Sequence, residues 1–124
     1  MDAQIEEAAK KVIEAAIEIH RHLGPGYIES VYEEALAVEL TLLGIPFARQ
    51  VEFGLDYKGH LVGKGRLDFL VDGCLIVELK AVEELAPIHT AQCISYLKCN
   101  QRRLALLINF NVPVLKAGIK RIAL

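Results

Sequence analysis

Near Pro46 the hydrophobic pattern of this 124-residue chain changes period, and that change limits the architectures open to it. Before Pro46 apolar residues recur about every 3.6 positions, and after it they alternate with a period near 2. Helices followed by strands must bury their apolar faces against one another, which points to helices packed on a sheet. From Ala3 to Leu23 the stripe is Ile5, Ala9, Val12, Ala16 and Leu23, widened by Ile13 and Ile19. Glu6/Lys10 and Glu7/Lys11 form four-apart pairs in the favourable order on the other side. Gly24-Pro25-Gly26 ends this helix. A second helix starts near Ser30, where Ser30 and Glu33 match a capping box, and runs through Tyr32, Leu36, Leu40 and Leu43 to Gly44.

Phe47 to Tyr57 and Leu61 to Val71 read as strands around a turn at Lys58-Gly59-His60, with Cys74 to Lys80 as a third strand. Together they make an antiparallel meander. Pro87 opens a helix that reaches about Lys98, with Asn100 as its left-handed cap. Leu104 to Phe110 is an apolar run suited to a strand buried on both faces, and Ile119 to Leu124 suits an edge strand. The expected fold class is therefore α/β, in the order ααβββαββ, a mixed central sheet flanked by helices, with residues 1–124 forming one domain.

Composition narrows the function classes. Hydrophobic residues make up 53% of the chain and the net charge is only −2, which excludes a disordered tail. Charges interrupt every apolar stretch before the roughly 18 residues a membrane span needs, and the first residues lack a basic, apolar leader pattern, so the expectation is a cytoplasmic protein without membrane contact. Cys74, Cys93 and Cys99 cannot all pair with one another and are expected as reduced, mostly buried thiols. His20 and His22, two apart on one helix, cannot share a face as metal ligands and are expected in solvent. The large apolar fraction for a small chain makes a homodimer a further expectation.

The polar residues that apolar strands do not need lie on the second and third strands. Period-2 alternation puts Arg66, Asp68 and Leu70 on one face, and Ile76, Glu78 and Lys80 on one face of the next strand. Burying Glu78 and Lys80 in Leu75-Ile76-Val77-Glu78-Leu79-Lys80-Ala81 costs roughly several kcal/mol each unless they are paired or bind a metal. A salt bridge of Glu78 or Asp68 with Lys80 is one solution. The other is a metal centre, in which the carboxylates and the carbonyl of Leu79 offer hard oxygen ligands to Mg2+ or Mn2+ and Lys80 orients water or stabilises developing charge. That apparatus suits phosphodiester hydrolysis. A shared centre also requires a register: a two-residue turn at Asp72-Gly73 would set Asp68 against Val77, whereas a three-residue loop through Cys74, or a bulge, sets it against Glu78.

Asp68 with Glu78-Leu79-Lys80 resembles the divided Asp and (Asp/Glu)-x-Lys signature of the PD-(D/E)XK nuclease superfamily. Gln92 to Tyr96 resembles the Gln-x-x-x-Tyr element of its RecB-like and phage-exonuclease branches. Gly26-Tyr27-Ile28-Glu29-Ser30-Val31-Tyr32 is similar to the Gly-x-x-Glu-x-x-Tyr string of the GxxExxY proteins, a family placed in that superfamily. The resemblance runs from about Ile13 to Asn111 and includes Ile108-Asn109-Phe110, while Leu67 stands where the signature often has proline. It implies a metal-dependent nuclease acting on nucleic acid, DNA foremost, with an inactive binding or assembly module as the alternative. In that reading Asp68 and Glu78 are metal ligands, Lys80 is the catalytic lysine, and Glu29 or Glu33 completes the metal site from the helix. Gln92 and Tyr96, with His89 one turn before them, face the site from the third helix. Arg66 contacts substrate phosphate or neutralises Asp68. Residues 1–44 carry a net charge of −6 and residues 45–124 a net of +4, so the two N-terminal helices are expected to face away from a polyanion.

Overall fold

The computed structural model describes residues 1–124. Two helices, α1 (Ala3–Leu23) and α2 (Glu29–Leu42), precede strands β1 (Phe47–Tyr57), β2 (His60–Val71) and β3 (Leu75–Lys80). After these come α3 (Pro87–Asn100), β4 (Leu104–Asn109), a short 3-10 turn (Leu115–Gly118) and β5 (Ile119–Ala123). The five strands lie side by side in chain order, with β3 and β4 parallel and every other neighbouring pair antiparallel. The α/β class, the element order and the edge position of β5 agree with the sequence. No helix is long and apolar enough to cross a membrane.

Each face of the sheet has its own core. On one side α1 and α2 bring Val12, Ala16, Tyr32 and Leu36 against Phe69, Val77, Leu79, Leu106 and Phe110. On the other, Cys93 and Leu97 of α3 cover Leu67, Ile76, Ala105 and Leu107. β4 lies between the two layers, and all six of its residues are buried, as a continuous apolar run requires.

Several local expectations are corrected. Ser30 caps nothing: α2 begins after Ile28, without a side-chain cap, and the Glu33 carboxylate is taken instead by Gln50 and Arg49 of β1. The left-handed residue after α3 is Gln101, at φ 55°, while the Asn100 amide donates to the Tyr96 carbonyl. Only Cys93 among the thiols is buried; Cys74 is half-buried and Cys99 exposed. His20 is not simply solvated, since its ring meets the Val112 carbonyl at 2.8 Å. His89 accepts from the Ala86 N–H at the start of α3 and so serves the helix end.

The link between α1 and α2 shows why Gly26, Glu29 and Tyr32 occur together. Gly26 has φ 107°, a backbone state that favours glycine, and lets the chain reverse. Tyr32 is fully buried and stacks on Phe110 with centroids 4.4 Å apart. Its hydroxyl donates to the Gly24 carbonyl at 2.7 Å and accepts from the Tyr27 N–H at 3.2 Å, pinning the linker from both sides. Glu29, three residues before Tyr32, is thereby fixed at the N-terminus of α2.

Candidate metal centre

β2 and β3 pair only at Phe69–Val77, Leu70–Ile76 and Val71–Leu75. Asp72 and Gly73 both take positive φ, and the Cys74 N–H donates to the Val71 carbonyl, so the connection is the three-residue loop Asp72-Gly73-Cys74. Continued by one step, this register sets Asp68 opposite Glu78, as a shared carboxylate site requires. Beyond Phe69 the strands part. β3 keeps its pairing with β4 through Lys80, but its other edge is open, and Asp68 Oδ2 accepts the free Leu79 N–H at 2.8 Å.

A cavity of about 650 Å3 fills the fork. Asp68, Arg66, Glu78 and Lys80 line it from the sheet, Glu29, Ser30 and Glu33 from the first turns of α2, and Gln92 and Tyr96 from α3. The side chains that the sequence singles out therefore border one space. Leu79 contributes backbone only, since its side chain lies in the core beneath α1 and α2. The expectation that both N-terminal helices face away from a polyanion is corrected for α2, whose acidic first turns wall the cavity.

Electrostatics single out Glu78. It is only 4% exposed, and its Oε1 is buried with no hydrogen-bond partner. Burial, then the charge of Asp68, pushes its carboxyl up to about 9, with Lys80 pulling the other way. Glu29 is also raised, first by burial and then by Asp68 and Glu33, against the opposing pull of Lys80. Burial lifts the Tyr96 phenol, and Glu78 and Asp68 add to it. The Cys93 thiol is pushed up to about 12, chiefly by burial and next by Glu78, and it packs among Leu67, Ile76 and Leu97 as an apolar group.

No three acidic, histidine or cysteine groups are drawn together tightly enough to form a ready-made cation cage. The donor set nevertheless fits a hard divalent cation. Several carboxylates share one polar cavity with Lys64, Arg66 and Lys80, and one Glu78 oxygen is a buried acceptor with no hydrogen-bond partner.

Gln50, Glu52 and Lys64 also line the cavity without a signal in the sequence that set them apart. Arg49 and Gln50 are adjacent polar residues in an alternating strand, and that interruption is the one trace of what happens there. Gln50 takes φ 52° in the middle of β1. Its neighbours Arg49 and Val51 pair with Phe69 and Leu67, which leaves Gln50 at the level of Asp68. Phe47 and Phe69 belong to the core under α1 and α2, whereas Val51, Phe53 and Leu67 pack under α3, so both strands turn over at this level. Arg66 and Leu70, placed on one face by simple alternation, consequently separate: Arg66 lines the cavity and Leu70 packs under α3.

A family model described as the PD-(D/E)XK nuclease superfamily matches residues 6–122. Comparison with curated proteins and with solved structures returned no match.

Proposed function

The chain belongs to the PD-(D/E)XK nuclease superfamily, and from that premise we propose that it is a Mg2+- or Mn2+-dependent nuclease that hydrolyses phosphodiester bonds in DNA. The single observation that carries this reading is the fork between β2 and β3, where the signature carboxylates face each other and one buried oxygen of Glu78 lacks a partner. Asp68 and Glu78 would hold the metal with the Leu79 carbonyl. Glu29 completes the set, because its carboxylate makes no hydrogen bond to the protein while that of Glu33 is engaged by Gln50 and Arg49. A bound divalent cation supplies charge neutralisation at the phosphodiester and lowers the pKa of a water.

The chain's own side chains do the rest. Lys80 points its ammonium into the cavity, where it orients the attacking water and stabilises negative charge on the phosphoryl oxygens. Arg66 is exposed, makes no ion pair, and lines the same cavity, which suits a phosphate contact better than neutralisation of Asp68. Tyr96, held edge-on against Phe53 at 5.1 Å, and Gln92, one turn before it, supply polar groups from α3 that position substrate.

The test is titration of Mn2+ by calorimetry into the wild type, Asp68→Ala and Glu78→Ala, with cleavage assays on linear, nicked and branched DNA and on RNA. Binding by the wild type, its loss in both variants, and a cleavage rate at least about 1000-fold lower in each are the expected results. A wild type that neither binds Mn2+ nor cleaves any of these substrates overturns the reading and leaves a nuclease fold used for binding or assembly.

A further inference from the structure

We propose that Gln50 is a positioning residue of the metal centre, tying the first turns of α2 to the sheet so that Glu29 is held at the cavity beside Asp68 and Lys80. The inference rests on the metal-dependent reading above. Four observations lead to it. Gln50 is a non-glycine residue held at φ 52° inside a strand, a conformation that a side chain bearing Cβ adopts at a cost. It occupies the level of Asp68, between the Arg49–Phe69 and Val51–Leu67 pairs. Its Nε2 donates to Glu33 Oε1 at 2.5 Å. Its side chain also lines the cavity.

Glycine would turn the strand over at this point without strain, so the amide side chain needs a separate reason to be there. Glu33 supplies one. It lies one helical turn after Glu29 on the same face of α2, and a tether at Glu33 therefore fixes Glu29 as well. α2 has no side-chain cap of its own, so tertiary contacts hold its start: Tyr32 on the linker side and Gln50 on the sheet side. Arg49 also reaches Glu33, at 3.3 Å, but does not line the cavity, and it binds Glu34 more closely, at 2.8 Å.

Mn2+ affinity and thermal unfolding of Gln50→Gly, Gln50→Asn, Glu33→Ala and the Gln50→Gly/Glu33→Ala pair separate this role from a packing role. Gln50→Gly should unfold at a temperature no lower than the wild type, because glycine relieves the left-handed backbone, yet bind Mn2+ about 10-fold more weakly, as loss of a ligand-orienting group does. Gln50→Asn tolerates the backbone but falls short of Glu33, and should lose affinity to the same degree. The double variant should be no weaker than the weaker single, because the tether breaks only once. Gln50 variants that bind Mn2+ within twofold of a binding wild type overturn this role and leave the nuclease reading intact. A double variant in which the two losses multiply does the same. A wild type that binds no Mn2+ overturns both.

Discussion

The inner and outer ends of the β2–β3 pair use the same two strands to opposite ends. At the inner end Val71, Phe69, Leu75 and Val77 are fully buried and the ladder is closed. One residue further the ladder stops, and Asp68, Glu78 and Lys80 line the cavity that opens there. A closed antiparallel pair satisfies its backbone and leaves its side chains free to pack. An opened pair exposes backbone donors, and Asp68 meets one of them through the Leu79 N–H. The comparison teaches that the charged cluster is tolerated in an apolar sheet because the sheet is split where the cluster sits. The buried apolar packing is concentrated at the closed end and the candidate site lies at the open one.

The largest test of that division is Phe69→Ala. The ring is fully buried, so its loss should cost about 3–5 kcal/mol in urea unfolding. Asp68→Asn, one residue away, should change stability by no more than about 1 kcal/mol, since the amide oxygen still accepts from Leu79 and a charge near Glu78 is removed. If the two substitutions cost the same, the ends do not differ as described.

A second test uses pH. Glu78 binds its proton more tightly in the folded chain, at about 9 against 4.5 for an ordinary glutamate. The stabilisation this gives is fully present below about pH 4.5 and is lost as pH rises through about 9. By pH 7 metal-free protein should have lost roughly 3 kcal/mol of it. Glu78→Gln should remove this part of the pH dependence and stabilise metal-free protein near neutrality. Thermal unfolding from pH 5 to 9, with chelator present, measures both; parallel profiles for variant and wild type would exclude a buried, uncompensated carboxyl.

The closed end was legible from sequence, and the open end only in part. Leu104 to Asn109 and the stripe through Val12, Ala16, Tyr32 and Leu36 announce their burial by period, because packing against one neighbour repeats a single pattern. The register that joins Asp68 to Glu78 could be posed as a choice between a two-residue and a three-residue turn, and the structure takes the three-residue loop. The turnover at Gln50 left no comparable trace. Phe47, Val51 and Phe53 are all odd-numbered, so alternation reads them as one face although they pack on opposite sides of the sheet. One left-handed residue changes the face without changing the parity. The capping box failed for a related reason: Ser30 and Glu33 fit the local pattern, but contacts 16 and 17 residues away, from Arg49 and Gln50, claim Glu33. Local rules hold where neighbours in sequence are the main partners, and the candidate site is built where they are not.

Tyr32→Phe probes the boundary between the two ends with a smaller change. The phenyl ring keeps its stack on Phe110 and its place in the core, so the closed part of the molecule should be unaffected. The hydroxyl is lost, and with it the partner of the Gly24 carbonyl and of the Tyr27 N–H. Both groups lie in the linker that delivers Glu29, partly shielded from water but still able to recover some hydration. The cost should be about 1–2 kcal/mol, less than for Phe69→Ala because no cavity forms. Its distribution matters more than its size. Amide hydrogen exchange should quicken over residues 24–29 while β4 stays as protected as in the wild type. Uniformly faster exchange across both regions would mean that the linker belongs to the same cooperative unit as the core, and that Tyr32 supports the sheet as much as it places Glu29.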